Sequence, residues 1–249
     1  MIYNIYMGKK AAIIFVLALL FSMPAFSQSD SGEVIFFDIE DFENELIGDL
    51  PENWYNQKGE ARPITYTGDL RKTYNYTVME EGTNKFLRFD GVRGKHLNYP
   101  LAKSDVDIYE TPILNWKWRI HDIPDGAKET DKKKNDTAAS IYVVFDLGKV
   151  LFRKVPKSIR YTWSSSLPVG EEASIFHGNQ KIVVMGTGEE GLGEWHSFQR
   201  NIVEDYRRLF ADRPPNTPLA ILILSDGDST NKNSKADYDD IFLSSSPDN

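Results

Sequence analysis

Four side chains that could bind an oxygen-rich ligand occupy polar positions of predicted strands. In these strands apolar residues alternate with polar ones, so the polar side chains point away from the core. A guanidinium suits carboxylates and sulfates, and an aromatic ring can lie against a sugar face. We expect the strands to be neighbours and to form a binding surface for an anionic or hydroxyl-rich ligand. Its residues are Lys117, Arg119, Tyr142 and Arg160. The alternative is a solvated outer face.

Carboxylates are concentrated near the two ends of the predicted domain, in the sequences DIEDFE at 38–43 and YDDIF at 238–242. If the first and last strands lie side by side, several carboxylates converge. Hard oxygen ligands of this kind suit Ca²⁺. The pattern predicts a structural calcium site formed by Asp38, Glu40, Asp41, Glu43, Asp239 and Asp240. The alternative is ordinary turn and edge chemistry.

A glycine-rich stretch, GTGEEG at 186–191, matches the spacing of a dinucleotide-binding loop. No helix-forming sequence follows it, and Glu189 and Glu190 stand where a pyrophosphate would lie. A glycine-rich hairpin is the better interpretation. We therefore expect no nucleotide cofactor.

Other metal and catalytic motifs are incomplete. The sequence Asp226-Gly227-Asp228 resembles the start of an EF-hand loop, but Asn231 replaces the turn glycine and Asp237 the closing glutamate. The four histidines are far apart, and the chain contains no cysteine, which excludes disulfides and thiolate zinc sites. A pair of carboxylates for glycoside hydrolysis stays open, because acids on different strands can face each other.

The N-terminus indicates export. Lys9 and Lys10 precede an unbroken apolar run at 11–21, and Ala25 and Ser27 fit the −3 and −1 positions of a cleavage site. The run is shorter than the roughly 20 residues that span a membrane. We predict a signal peptide over residues 1–27, a periplasmic or secreted protein, and no transmembrane span after cleavage. An uncleaved N-terminal anchor is the alternative.

The charge of the exported chain excludes some partners. After residue 27 the chain carries 27 basic and 37 acidic residues, a formal charge of −10. Nucleic acids and anionic membranes attract proteins through a positive field, so neither is an expected partner. Residues 28–249 are long enough for one β-rich domain with its own core, or for two small domains at most, and we predict one.

Strand patterns dominate residues 28–249, and we predict an all-β sandwich with one short helix near 202–211. Trp116 and Trp118 alternate in register with apolar neighbours and are expected in the core. Asn201 is the expected helix cap, with Glu204 three residues on. The predicted strands lie near 34–38, 73–80, 85–90, 113–120, 138–147, 158–163, 181–186, 219–225 and 239–244.

The charged segment at 125–136 joins two strong strands. Its sequence, DGAKETDKKKND, contains no large apolar residue. It is either a solvated excursion or a mobile lid over a site, because long polar loops often carry function.

Several stretches resemble an exported bacterial family that is catalogued as a domain of unknown function. They include LNWKWRI at 114–120, IYVVF at 141–145, NIVEDY at 201–206 and DGDST at 226–230. More distantly, the acidic chain ends are similar to those of galactose-binding-like jelly rolls. That group includes carbohydrate-binding modules and often holds a calcium beside the terminal strands. The resemblance implies that the all-β sandwich is a jelly roll, but it does not determine a function.

Three function classes follow from these patterns. The first is an exported domain that binds a glycan without catalysis. The second is a polysaccharide-cleaving hydrolase or lyase, for which Tyr142, Arg119 and Asp136 are the first residues to test. The third is a structural or assembly protein of the envelope. A groove with aromatic and cationic side chains favours the first two classes, and a flat exposed apolar patch favours the third.

Overall fold

Alternating burial along the strands builds two sheets that pack face to face. The computed structural model describes residues 34–55, 74–150 and 153–247. The predicted signal peptide at 1–27 lies outside these residues, and a single domain over 28–249 stays a prediction. The strands are β1 (Phe36–Glu40), β2 (Tyr76–Glu81), β3 (Asn84–Gly91), β4 (Leu97–Pro100), β5 (Ile113–Asp122), β6 (Thr137–Val150), β7 (Arg153–Ser164), β8 (Glu172–Ile175), β9 (Gln180–Thr187), β10 (Trp195–Asn201), β11 (Ala220–Asp226) and β12 (Ser234–Ser244).

The front sheet has the strand order β10-β5-β12-β3-β2, with β1 also paired to β12. The back sheet has the order β4-β11-β6-β7-β9-β8. Strand β7 runs parallel to β9, and the other pairs are antiparallel. This all-β jelly-roll sandwich confirms the predicted fold class.

The core lies between the sheets and is formed by the apolar face of each alternating strand. Strand β5 contributes Trp116 and Trp118, which are 1% and 0% exposed. Their rings lie 5.5 Å apart and both contact Phe198 of β10. Strands β6 and β7 contribute the opposite wall, including Ile141 and Tyr161. The predicted core position of both tryptophans is confirmed.

One α-helix, α1 (Ile202–Phe210), follows β10 in the described chain. The Asn201 side chain accepts a hydrogen bond of 3.0 Å from the Glu204 backbone N–H, as the sequence predicted. Ala211 ends the helix in the left-handed region at φ 50°. Tyr206 packs against Phe145 with ring centroids 4.6 Å apart, so the helix closes one end of the core.

Three strands were missing from the sequence prediction: β4, β8 and β10. Each is at an edge of its sheet. An edge strand buries less side-chain surface than a central one, so its sequence need not alternate strongly. The doubly apolar segment 219–225 was predicted to be central, and β11 is indeed paired on both sides, with β4 and β6.

Candidate functional site

A buried arginine with an unused donor lies on the outer face of the back sheet. Arg160 of β7 stands opposite Tyr142 of β6, and its guanidinium carbon lies 5.5 Å from the centroid of that ring. Arg160 Nε donates to Ser140 Oγ at 2.9 Å, and Nη1 donates to Asn135 Oδ1 at 2.8 Å. The residue is 1% exposed, and its Nη2 has no hydrogen-bond partner. Buried donors are normally paired, so an acceptor that reached this atom would complete its hydrogen bonding.

Two neutral aromatic rings flank this guanidinium. The His96 and Tyr142 ring centroids are 5.2 Å apart. Burial lowers the pKa of His96 to about 4, and the positive charge of Arg160 acts in the same direction. Burial raises the pKa of Tyr142 to about 12. Both rings are therefore uncharged at neutral pH. We call Arg160, Tyr142, His96 and Asn135 the Arg160 cluster.

Three carboxylates form an acidic group beside it, where β6 begins and β11 ends. One oxygen each of Asp136, Asp226 and Asp228 lies within 4.8 Å of the others. The pairing of Asp226 with Thr137 across β11 and β6 brings Asp136 to this place. Asp136 is fully buried, and it accepts three hydrogen bonds from Ser229 and Thr230. These bonds hold the turn that carries Asp228.

Asp226 connects the acidic group with the Arg160 cluster. Its Oδ1 is buried and unpaired. Burial raises the pKa of Asp226 to about 7, while the charge of Arg160 opposes that rise and the charge of Asp136 adds to it. Gly227 makes the turn possible, because a Cβ there would lie 2.0 Å from the Lys232 carbonyl oxygen. Three carboxylates at this spacing could hold a hard cation such as Ca²⁺.

The predicted ligand-binding surface is divided between the two sheets. Lys117 and Arg119 lie on β5 of the front sheet, whereas Tyr142 and Arg160 lie on β6 and β7 of the back sheet. The expectation that these strands are neighbours holds for β6 and β7 but is wrong for β5. Alternation shows which face of a strand is polar, but the loop between β5 and β6 takes the chain to the other sheet. For the same reason Tyr142, Arg119 and Asp136 do not share one site.

The cations of the front sheet are already matched by carboxylates. Lys117 Nζ lies 2.5 Å from Asp240 Oδ2. Arg119 pairs with Glu81 and Asp237 at 2.7 and 2.8 Å. Lys117 and Arg119 therefore already have anionic partners, whereas Arg160 keeps an unpaired donor.

The strands near the two chain ends pair as expected, but their carboxylates contact separate partners. Strand β1 pairs with β12, with Asp38 opposite Phe242. Strand pairing brings backbones together, whereas consecutive side chains point to opposite faces. In the described part of the chain, the carboxylate group spaced for a shared cation is instead the one at Asp136. Protein donors contact the carboxylates of Glu40, Asp41, Glu43, Asp239 and Asp240.

The charged segment at 125–136 is partly inserted into the protein. Glu129 is 1% exposed and accepts a hydrogen bond of 2.7 Å from Ser164 Oγ. Asn135 and Asp136, at its end, contribute to the two groups described above. The segment is therefore more than a solvated excursion, and it positions residues of the site.

A family model for proteins of unknown function, DUF3047, matches residues 53–242. The chain belongs to this family. The match confirms the resemblance to a family of unknown function that the sequence motifs indicated. No curated protein matches the chain. Among the described residues, no helix has the length and apolar character needed to cross a membrane.

Solved structures similar to this DUF3047 member include two carbohydrate-binding modules and an enzyme domain. The family 11 module of the Clostridium thermocellum cellulase Lic26A-Cel5E is 12% identical, with 85% of this chain and 95% of that chain covered and a TM-score of 0.36. A family 30 module is 10% identical, with 86% and 90% covered and a TM-score of 0.40. The xyloglucanase domain of Sinorhizobium fredii NopAA is 12% identical, with 80% and 97% covered and a TM-score of 0.36. At these TM-scores, none of the three assigns a role to any residue.

Sequence reasoning missed His96, Asn135, Asp226 and Asp228 as members of one site. The signal for two of them was present, because Asp226-Gly227-Asp228 was compared with an EF-hand and then rejected for its incomplete loop. The third carboxylate of the group, Asp136, lies 90 residues earlier in the chain. Only the pairing of β6 with β11 brings it close.

Proposed function

We propose that this protein is an exported domain that binds a glycan at the Arg160 cluster, without catalysis. The observation that carries the proposal is Arg160 Nη2, a buried donor without a partner beside two neutral rings. A buried unpaired N–H costs free energy that a ligand oxygen can recover. Sugars offer such oxygens together with ring faces that pack on aromatic side chains.

The charges around the Arg160 cluster favour a hydroxyl-rich ligand over an anionic one. One guanidinium faces the three nearby carboxylates of Asp136, Asp226 and Asp228. With Ca²⁺ bound at these carboxylates, the charges of the ion and of Arg160 only balance the three negative charges, so a sulfate or uronate would gain no net attraction. We therefore propose a neutral glycan, which differs from the anionic ligand that three cations on one surface would favour.

Arg160→Lys is expected to weaken glycan binding about tenfold or more. Lysine keeps the positive charge but lacks the planar guanidinium and therefore the Nη2 donor that would bind the ligand. The measurement is a glycan array followed by calorimetric titration of the best neutral glycan. Arg119→Lys on the front sheet is the matched control and should bind as the wild type does.

A second variant keeps the site testable if the change at the buried arginine disturbs folding. Asn135 is half-buried, and Asn135→Ala releases Arg160 Nη1. It should also weaken binding, and it should lower the melting temperature less than Arg160→Lys, because it changes a half-buried partner and leaves the arginine in place. Undiminished binding by both variants would disprove the site. Release of shorter sugars in the same mixtures would favour the hydrolase or lyase instead.

We further propose that Ca²⁺ binds at Asp136, Asp226 and Asp228. Asp226 Oδ1 supports this, because it is a buried acceptor without a donor. Saturation at a hundredfold excess over the dissociation constant stabilises a fold by about 2.7 kcal/mol. For a domain of this size, Ca²⁺ should raise the melting temperature by about 5–10 °C, and a chelator should reverse the rise.

Asp228→Asn should remove most of the calcium response, because Asp228 is the exposed ligand and can be changed with little effect on packing. Asp240→Asn is the control and should keep the full response. A melting temperature that changes with neither Ca²⁺ nor chelator would refute the calcium site.

Export is part of the proposed function. If residues 1–27 form a cleaved signal peptide, intact-mass measurement of the exported protein should place Gln28 at its N-terminus. Membrane-bound protein that retains Met1 would instead support the N-terminal anchor.

A further inference from the structure

A hollow opens where the edge of the front sheet meets the longer back sheet. Strand β10 is the edge of the front sheet, whereas the back sheet continues past β7 with β9 and β8. The inner face of the back sheet is therefore uncovered beside β10. The resulting cavity has a volume of about 580 Å³. We call it the edge hollow, and its main lining residues are Trp163, Met185, Glu190, Glu194, His196 and Phe198.

The floor of the edge hollow is apolar and continuous with the core. Trp163 belongs to the core, and Met185 and Phe198 are partly buried against it. Val169, also in the lining, is 62% exposed. An aromatic and apolar floor of this kind can contact the face of a ring-shaped ligand.

The glycine-rich stretch at 186–191, which does not fit a dinucleotide-binding loop, shapes the edge hollow. A Cβ at Gly186 would lie 2.3 Å from Trp163 Cε3, so only glycine lets the indole lie against β9. Trp163 Nε1 donates to the Gly188 carbonyl oxygen at 3.0 Å. Gly191 has φ +76°, and a Cβ there would lie 2.7 Å from His196 Cε1. These glycines are therefore explained by the position of the two rings.

The rim of the edge hollow is negative. Glu190 and Glu194 are exposed and are the charged carboxylates of the lining. Neither forms an ion pair with any residue that the structure describes. His196 Nε2 lies 2.9 Å from the Gly191 carbonyl oxygen, which can only accept. In the neutral imidazole Nε2 therefore carries the proton, and Nδ1 remains an acceptor.

We propose that the edge hollow binds a protonated amino sugar, such as a glucosamine unit of a deacetylated glycan. The ring face packs on the apolar floor, and the ammonium group lies between Glu190 and Glu194. The volume is within the range of about 300–1,000 Å³ that is usual for small-ligand pockets. The site uses no residue of the Arg160 cluster and does not depend on the proposed function.

The test compares two tetrasaccharides that differ in charge at the same rings. Calorimetric titration at pH 6, where the amines are protonated, should show that the glucosamine tetramer binds more tightly than the N-acetylglucosamine tetramer. The Glu190→Gln, Glu194→Gln double variant should lose about fivefold or more in affinity for the charged tetramer only. Glu189→Gln, a neighbouring exposed acid outside the lining, should have no effect.

Methionine methyl groups report where the sugar binds. Of the five methionines, only Met79 and Met185 follow residue 27. The glucosamine tetramer should shift the Met185 methyl resonance in an NMR titration and leave that of Met79, on the front sheet, unchanged. Arg160→Lys should not alter this shift.

Four results would overturn the inference. They are equal affinity for the two tetramers, equal loss of affinity in Glu189→Gln, an unmoved Met185 resonance, and loss of binding in Arg160→Lys. The second would indicate general attraction to an acidic chain. A lysine-rich peptide that shifts Met185 while the tetramer does not would show that the hollow takes a basic peptide instead of a sugar.

Discussion

Trp118→Ala is expected to lower the free energy of unfolding by about 3–5 kcal/mol, the usual cost of removing a large aromatic side chain from a core. Trp118 is fully buried, and its ring contacts those of Trp116 and Phe198 at centroid distances of 5.5 and 5.2 Å. The cavity left by the substitution lies in the core, beside the rings of Trp116 and Phe198. Urea unfolding followed by circular dichroism measures the loss.

Trp118→Phe separates packing from hydrogen bonding. Trp118 Nε1 is buried without a partner, so phenylalanine removes an unsatisfied donor together with part of the ring. The two effects oppose each other, and Trp118→Phe should cost clearly less than Trp118→Ala. An alanine variant that unfolds at the wild-type urea concentration would show that the inner face of β5 has been assigned incorrectly.

Asp237→Asn is the second substitution with a large expected effect. Asp237 is a fully buried carboxylate that accepts hydrogen bonds from Arg88 and Arg119 and lies 2.7 Å from His121 Nε2. Removal of its charge leaves two guanidinium groups without their shared partner. Loss of one partner of a buried pair costs about 3–5 kcal/mol, and we expect about 2–3 kcal/mol because both arginines keep some contact with water.

The effect of Asp237→Asn should depend on pH. Burial raises the pKa of Asp237, but hydrogen bonds from Arg88 and His121 outweigh burial and leave the pKa below its ordinary value. A carboxyl whose pKa is lowered in the folded state stabilises the fold above its unfolded pKa, near 4, and loses this contribution as the pH falls through the folded value. The stability difference between wild type and Asp237→Asn should therefore be largest near neutral pH and shrink below about pH 4.

Asp240→Asn is the matched control for this experiment. Asp240 forms an exposed pair with Lys117, and such pairs are worth about 0–1 kcal/mol. Its φ of 46° lies in the left-handed region, which asparagine tolerates. If Asp240→Asn and Asp237→Asn destabilise the protein equally, the hydrogen bonds of Asp237 with Arg88 and Arg119 do not stabilise the fold more than an exposed ion pair does.

The local features of this protein were determined by its sequence alone. Alternation along β5, β6 and β7 identified their buried faces, because the side-chain period of a strand is two wherever the strand lies. The cap of α1 was also predicted correctly, since Asn201 and Glu204 are only three residues apart.

The composition of the site was decided by the tertiary structure. Arg119 and Arg160 have the same local pattern, yet they lie in different sheets because the segment 123–136 crosses from front to back. Asp136 meets Asp226 through a pairing of β6 with β11 that no local pattern encodes. Burial of one face is a property of each strand, whereas the choice of neighbouring strands depends on the summed packing of segments far apart in the chain.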